Sequence, residues 1–146
     1  MLILVADDDP TSLLVAVTLL RGLGHQCISA TDGSIAWESF QTRRPDVVMC
    51  EWLMPGLDGL ELCRKIRAHQ ARYTYLIMVT GLDSHDHMLE GMNAGADDYL
   101  VKPLKSDVLE VRLIAAERVT SLHRQLAHQR NKLATAARRD AVLKRT

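Results

Sequence analysis

The chain opens on Leu2-Ile3-Leu4-Val5-Ala6, an unbroken apolar run that stops at Asp7-Asp8-Asp9-Pro10. A run of this length with no polar alternation predicts a short strand buried on both faces. Thr11 or Ser12 then caps a predicted helix whose apolar positions Leu14, Val17, Leu20 and Leu23 recur at helical spacing, and Gly22 and Gly24 end it. The alternation repeats. Cys27–Ala30 is the second predicted strand, Asp32-Gly33 is a turn, and a helix begins over Ile35–Phe40. Val47–Cys50 is the third strand. Met54-Pro55-Gly56 forces a loop, and Asp58 caps a helix over Gly59–Ala68. Leu76–Thr80 and Tyr99–Val101 are the fourth and fifth strands, separated by a helix over Asp86–Ala94 that ends at Gly95. A last helix starts near Ser106 or Asp107.

Short apolar strands alternating with amphipathic helices predict an α/β fold, a doubly wound five-stranded parallel sheet covered on both faces. In such sheets the site lies outside the C-terminal ends of the strands. That rule gathers Asp7 and Asp8 after the first strand, Glu51 at the end of the third, Thr80 at the end of the fourth and Lys102 after the fifth. Carboxylates within about 4–6 Å raise each other's pKa unless a cation intervenes. Lys102 supplies one positive charge. A divalent ion of the Mg²⁺ type, a hard cation that prefers oxygen ligands, can supply the rest. With the Thr80 hydroxyl as a donor to an anionic oxygen, the set suits the handling of a phosphoryl group.

Composition narrows the class. The 146 residues suffice for one domain, and 47% hydrophobic with 25% charged residues is ordinary for a soluble globular protein. Aromatic residues are 4%, so the core must be aliphatic. Cys27, Cys50 and Cys63 form no CxxC pair and read as free thiols of a reducing compartment. No secretory leader pattern and no stretch of about 18 apolar residues is read, which places the chain in the cytoplasm and off the membrane. The net charge is zero but unevenly spread: residues 1–103 hold 8 Lys/Arg and 14 Asp/Glu, and residues 104–146 hold 10 and 4. The basic residues follow a helical pattern with few aromatics, so they read as a solvated helix face rather than a nucleic-acid surface.

Four segments now align with a known pattern: Val5-Ala6-Asp7-Asp8-Asp9-Pro10, Glu51-Trp52-Leu53-Met54-Pro55-Gly56-Leu57-Asp58-Gly59, Val79-Thr80-Gly81, and Gly95-Ala96-Asp97-Asp98-Tyr99-Leu100-Val101-Lys102-Pro103. In order and spacing they resemble the signature segments of two-component response-regulator receiver domains, over about residues 1–120. The resemblance implies the flavodoxin-like (βα)₅ receiver fold with an extended C-terminal helix, and a signalling rather than enzymatic role. It also implies that Asp7 and Asp8 are the acidic metal pair, with Glu51, in the phosphoacceptor position beside them, as a further metal ligand. The backbone carbonyl of Leu53 completes the metal contacts. Thr80 is the switch hydroxyl, Tyr99 the switch aromatic, Lys102 the phosphoryl-pairing lysine, and Pro103 the proline of a cis peptide. The cofactor implied is Mg²⁺, weakened or altered by Glu51, and the partner implied is a histidine kinase.

The family's phosphoacceptor is aspartate, and here it is Glu51. One added methylene displaces the carboxylate, and a misplacement of about 1 Å can cost about 10²-fold in an in-line reaction. Three readings stay open. Glu51, natural or introduced, leaves the domain switched on or phosphate-independent; or the domain still accepts phosphate from a histidine kinase; or Glu51 merely supports a metal or a salt bridge to Lys102 in an inert structural module. Among the neighbours, Asp9 reads as a helix-entry residue, Asp97 and Asp98 as turn residues, Cys50 as core-facing, and Trp52 as exposed at the active face. His85 and His87, with Asp83 and Asp86, read as solvated rather than as a zinc site.

No Gly or Pro follows Pro103, so the last helix is predicted over residues 106–146, on the order of 60 Å long. Ala115, Val119, Leu122, Leu126, Gln129, Leu133, Ala136, Asp140 and Leu143 keep four-three spacing, the seam of a parallel two-stranded coiled coil. Self-association as a homodimer is therefore expected. Residues 133–146 are similar to connectors entering diguanylate cyclase (GGDEF-type) output domains, and like linkers lead into PP2C-like phosphatase domains. Residues 1–120 read as the receiver and 106–146 as its helical linker, acting on an output domain or on partner proteins.

Overall fold

The computed structural model describes residues 1–69, 72–81 and 85–144. Strand and helix alternate: β1 (Leu2–Ala6), α1 (Pro10–Gly22), β2 (Gln26–Ala30), α2 (Gly33–Arg43), β3 (Val47–Glu51), α3 (Gly59–His69), β4 (Tyr75–Thr80), α4 (His85–Asn93), β5 (Asp98–Val101) and α5 (Ser106–Lys144). The strands form one parallel sheet in the order β2-β1-β3-β4-β5. The doubly wound sheet with a long last helix is thus as expected.

Alternation along the strands sorts the core into two layers. Ile3 and Val5, Val47 and Met49, Ile77 and Val79, and Leu100 pack with Ala16, Val17 and Leu20 of α1 and Leu109, Leu113 and Ala116 of α5. Leu4 and Ala6, Val48 and Cys50, Leu76 and Met78, and Tyr99 pack with Ala36 and Phe40 of α2 and Leu60, Cys63 and Ile66 of α3. All three cysteines are free, and Cys50 faces the core.

Two local expectations change. The cap of α1 is Asp9, whose side chain accepts from the Ser12 N–H at 3.2 Å and from the Ser12 hydroxyl at 2.7 Å, with Pro10 in the first turn. Thr11 and Ser12 fall inside the helix because Pro10 presets the helical φ one residue earlier. Trp52, expected at the surface, is only 6% exposed. Its carbonyl accepts the Gly59 N–H at 2.8 Å, which folds the β3–α3 loop back and turns the indole under α4, against Tyr99 and His87. Gly59 permits this, since a Cβ there would run into the Glu51 carbonyl.

Helix α5 packs on the sheet only through its first half, where Leu109, Leu113, Ala116 and Thr120 are buried. Residues 122–144 are exposed throughout. Among the described residues no helix is long and apolar enough to cross a membrane.

Candidate functional site

The register builds the site. Ala6 pairs with Cys50, so Asp7 and Glu51 follow side by side at the ends of β1 and β3. Thr80 pairs with Val101, which brings Lys102 just past the end of β5. The Lys102 N–H donates to the Thr80 carbonyl at 2.9 Å, tying the two strand ends together. Asp7 and Glu51 continue the layer of Val5 and Met49, and Lys102 that of Leu100.

These three side chains meet. Lys102 Nζ lies 2.8 Å from Asp7 Oδ2 and 2.6 Å from Glu51 Oε2. Asp7 Oδ1 accepts the Asp9 N–H at 2.9 Å. Glu51 Oε2 is buried and has no aligned hydrogen bond among the described residues, so its tie to Lys102 is an ion pair held by charge at short range. Burial works to lower the Lys102 pKa, but the bond to Asp7 and the charge of Glu51 outweigh it and hold the ammonium above its ordinary value. The space left between the pair and Ser12 and Leu104 is about 20 Å³, room for about one water.

The other expected site residues stand around this triad. Thr80 is buried at the end of β4. Tyr99 is buried in the opposite layer, edge-on to Trp52 at 6.4 Å. Asp8 is exposed, and Leu53 is 62% exposed in the loop after β3. The Lys102–Pro103 peptide is cis. Of the residues weighed as a zinc site, Asp83 lies outside the described residues.

Sequence reasoning missed a second polar cluster at the opposite edge of the sheet. Asp97 accepts from Arg67 at 2.6 Å, from the Leu76 N–H at 2.8 Å and from the Tyr73 hydroxyl. Arg67 also reaches the Gly95 carbonyl at 2.9 Å and the Thr74 carbonyl at 2.7 Å. Asp97 is therefore an anchor between α3, β4 and β5, beyond its place in a turn. The signal available was an arginine directly after Ile66, on the apolar stripe of α3.

The profile of the response regulator receiver domain matches residues 3–114. The chain belongs to this family. It is 33% identical over 117 residues to the transcriptional regulatory protein AfsQ1 of Streptomyces coelicolor, a match covering 80% of this chain and 51% of that protein. It is 35% identical over 113 residues to the DNA-binding response regulator MtrA of Mycolicibacterium smegmatis, covering 77% and 49%. The receiver domain of the Francisella response regulator 1452 superposes with a TM-score of 0.75 at 35% identity, covering 81% of this chain and 98% of that one. The chain thus spans about half the length of these curated relatives and nearly all of that receiver-domain structure.

Receiver domains generally bind Mg²⁺ at the phosphorylation site. The donor chemistry here is right, since Asp7, Asp8 and Glu51 offer hard carboxylate oxygens. The side chains as placed do not gather for it: among the described residues no three acidic, imidazole or thiol side chains form a group that could hold a metal, and Asp7 and Glu51 converge on Lys102.

Proposed function

We propose that this receiver module works without phosphoryl transfer, that Glu51 sets the state of its pocket, and that α5 carries that state outward as half of a parallel homodimer. The observation that carries the reading is the 2.6 Å contact between Glu51 and Lys102. The family assigns that lysine to the phosphoryl group; here a carboxylate one methylene longer than aspartate already occupies it. The imitation is partial, since a phosphoryl group carries nearly two charges and Glu51 one. The same contact weakens Mg²⁺ binding relative to an aspartate pocket.

In this reading residues 1–120 are the receiver body and 106–146 the linker, while Thr80, Tyr99 and Lys102 form the coupling region. Ala115 is half-buried and Val119 packs partly against the core, so the exposed part of the seam begins at Leu122 and runs through Leu126, Leu133 and Leu143. Gln129 and Asp140 are the polar positions that set register. The module acts in the cytoplasm on an output domain or partner protein.

Light scattering with and without a small phosphodonor tests this: a dimer unchanged by the donor supports it, and a monomer, or a dimer formed only with the donor, contradicts it. Family membership favours a second reading, a receiver that accepts phosphate from a histidine kinase; donor-dependent assembly would select it.

A further inference from the structure

The pocket's charge balance is closed by the chain itself. The Asp7 and Glu51 side chains are 8% and 11% exposed, and Lys102 is 26% exposed. A carboxylate so far removed from water is costly unless a cation or several donors meet it. Asp7 has the Asp9 N–H as a further donor. Among the described residues Glu51 Oε2 makes no aligned hydrogen bond and depends on the Lys102 ammonium at 2.6 Å. Among the described residues Lys102 is the one cation in contact with either carboxylate.

A divalent ion of the Mg²⁺ type needs near-octahedral oxygens at about 2.0–2.1 Å and keeps several of its waters. Lys102 Nζ already stands against one oxygen of each carboxylate and would repel a second cation at short range. We infer that Lys102 is the resident counter-ion of this pocket, clamped between Asp7 and Glu51 so that a divalent cation gains the site only when the ammonium is taken away. The inference rests on the proposed phosphate-independent reading and supplies its charge logic. The lysine fills the place of a metal, and Glu51 is the residue whose reach lets it do so.

The consequence is a latent metal site. Lys102→Met keeps the aliphatic stem and removes the charge, leaving Asp7 and Glu51 uncompensated beside the exposed Asp8. Mn²⁺, which favours the same carboxylate oxygens as Mg²⁺, is a direct probe because the free ion is counted by electron paramagnetic resonance. In a Mn²⁺ titration the native protein is expected to show no site below millimolar ion. K102M is expected to bind at least about tenfold more tightly, and its melting temperature to rise with added Mg²⁺ while the native one stays put. Submillimolar binding by the native protein overturns the inference, as does a folded K102M with no gain. If K102M does not fold, the native titration still decides: no site below millimolar ion supports the inference. Native Mn²⁺ binding without any phosphoryl adduct on Glu51 sinks this inference and spares the proposed function; an adduct sinks the proposed function.

Discussion

The Tyr73 ring lies flat on the His123 imidazole, with centroids 3.8 Å apart and 6° between the planes. Tyr73 precedes β4, and His123 sits on α5 where that helix leaves the body. The tyrosine hydroxyl donates to Asp97, which holds Arg67 and the Leu76 N–H. The exit of the helix is therefore fastened to β4, β5 and α3 through one stacked pair. His123→Ala should loosen this fastening, costing about 1 kcal/mol of stability. Amide exchange should rise in residues 116–126 and stay unchanged around β1 and β3; equal exchange everywhere would contradict the assignment.

The Tyr73 phenol is pushed up to about 12, first by burial and then by its hydrogen bond to Asp97. Its folded value exceeds the ordinary 10.0, so the stability it contributes is complete below pH 10 and is lost as pH rises through about 12. Ultraviolet titration should show a late tyrosine ionisation that Tyr73→Phe removes. The same variant should flatten the loss of stability across that pH window.

Asp97 holds the sharpest structural role outside the pocket. Asp97→Ala strips a mostly buried guanidinium, a phenol and a backbone N–H of their acceptor at once. The expected loss is about 3 kcal/mol by urea unfolding, with the pocket residues untouched. A loss within experimental error of zero would mean that water replaces the carboxylate freely.

Leu126 and Leu133 are 49% and 70% exposed on the part of α5 that lies beyond its buried residues. Leu126→Glu with Leu133→Glu places like charges in the proposed seam. The pair should convert the dimer to a monomer in light scattering while the unfolding of the body stays within about 0.5 kcal/mol of native. An unchanged mass would rule out this seam.

Much of this was legible in the sequence, for physical reasons that also mark where legibility stopped. The strands showed because a doubly covered parallel strand is a continuous apolar run, as Leu2–Ala6 and residues 76–79 are. Asp58 showed as a cap because a carboxylate before a helical stripe has one local use, and it accepts the Glu61 N–H; Asp32, read only as part of a turn, caps α2 in the same way through the Ile35 N–H. The meeting of Asp7, Glu51 and Lys102 followed from the strand-end rule alone. What stayed hidden was non-local or conformational. Trp52 is drawn inward by a loop that has no periodicity to read. Tyr73 and His123 are 50 residues apart in sequence, and nothing in either neighbourhood names the other. Asp97 looked complete as a turn residue, so its three long-range partners left no local trace.

The central claim is that Glu51 occupies Lys102 in place of a phosphoryl group. Incubation with acetyl phosphate and Mg²⁺, read by intact mass, tests it most directly. The native chain is predicted to gain no mass, while Glu51→Asp, which shortens the reach to Lys102, is predicted to gain about 80 Da per chain. A stable gain of about 80 Da on Glu51 of the native chain would contradict the account.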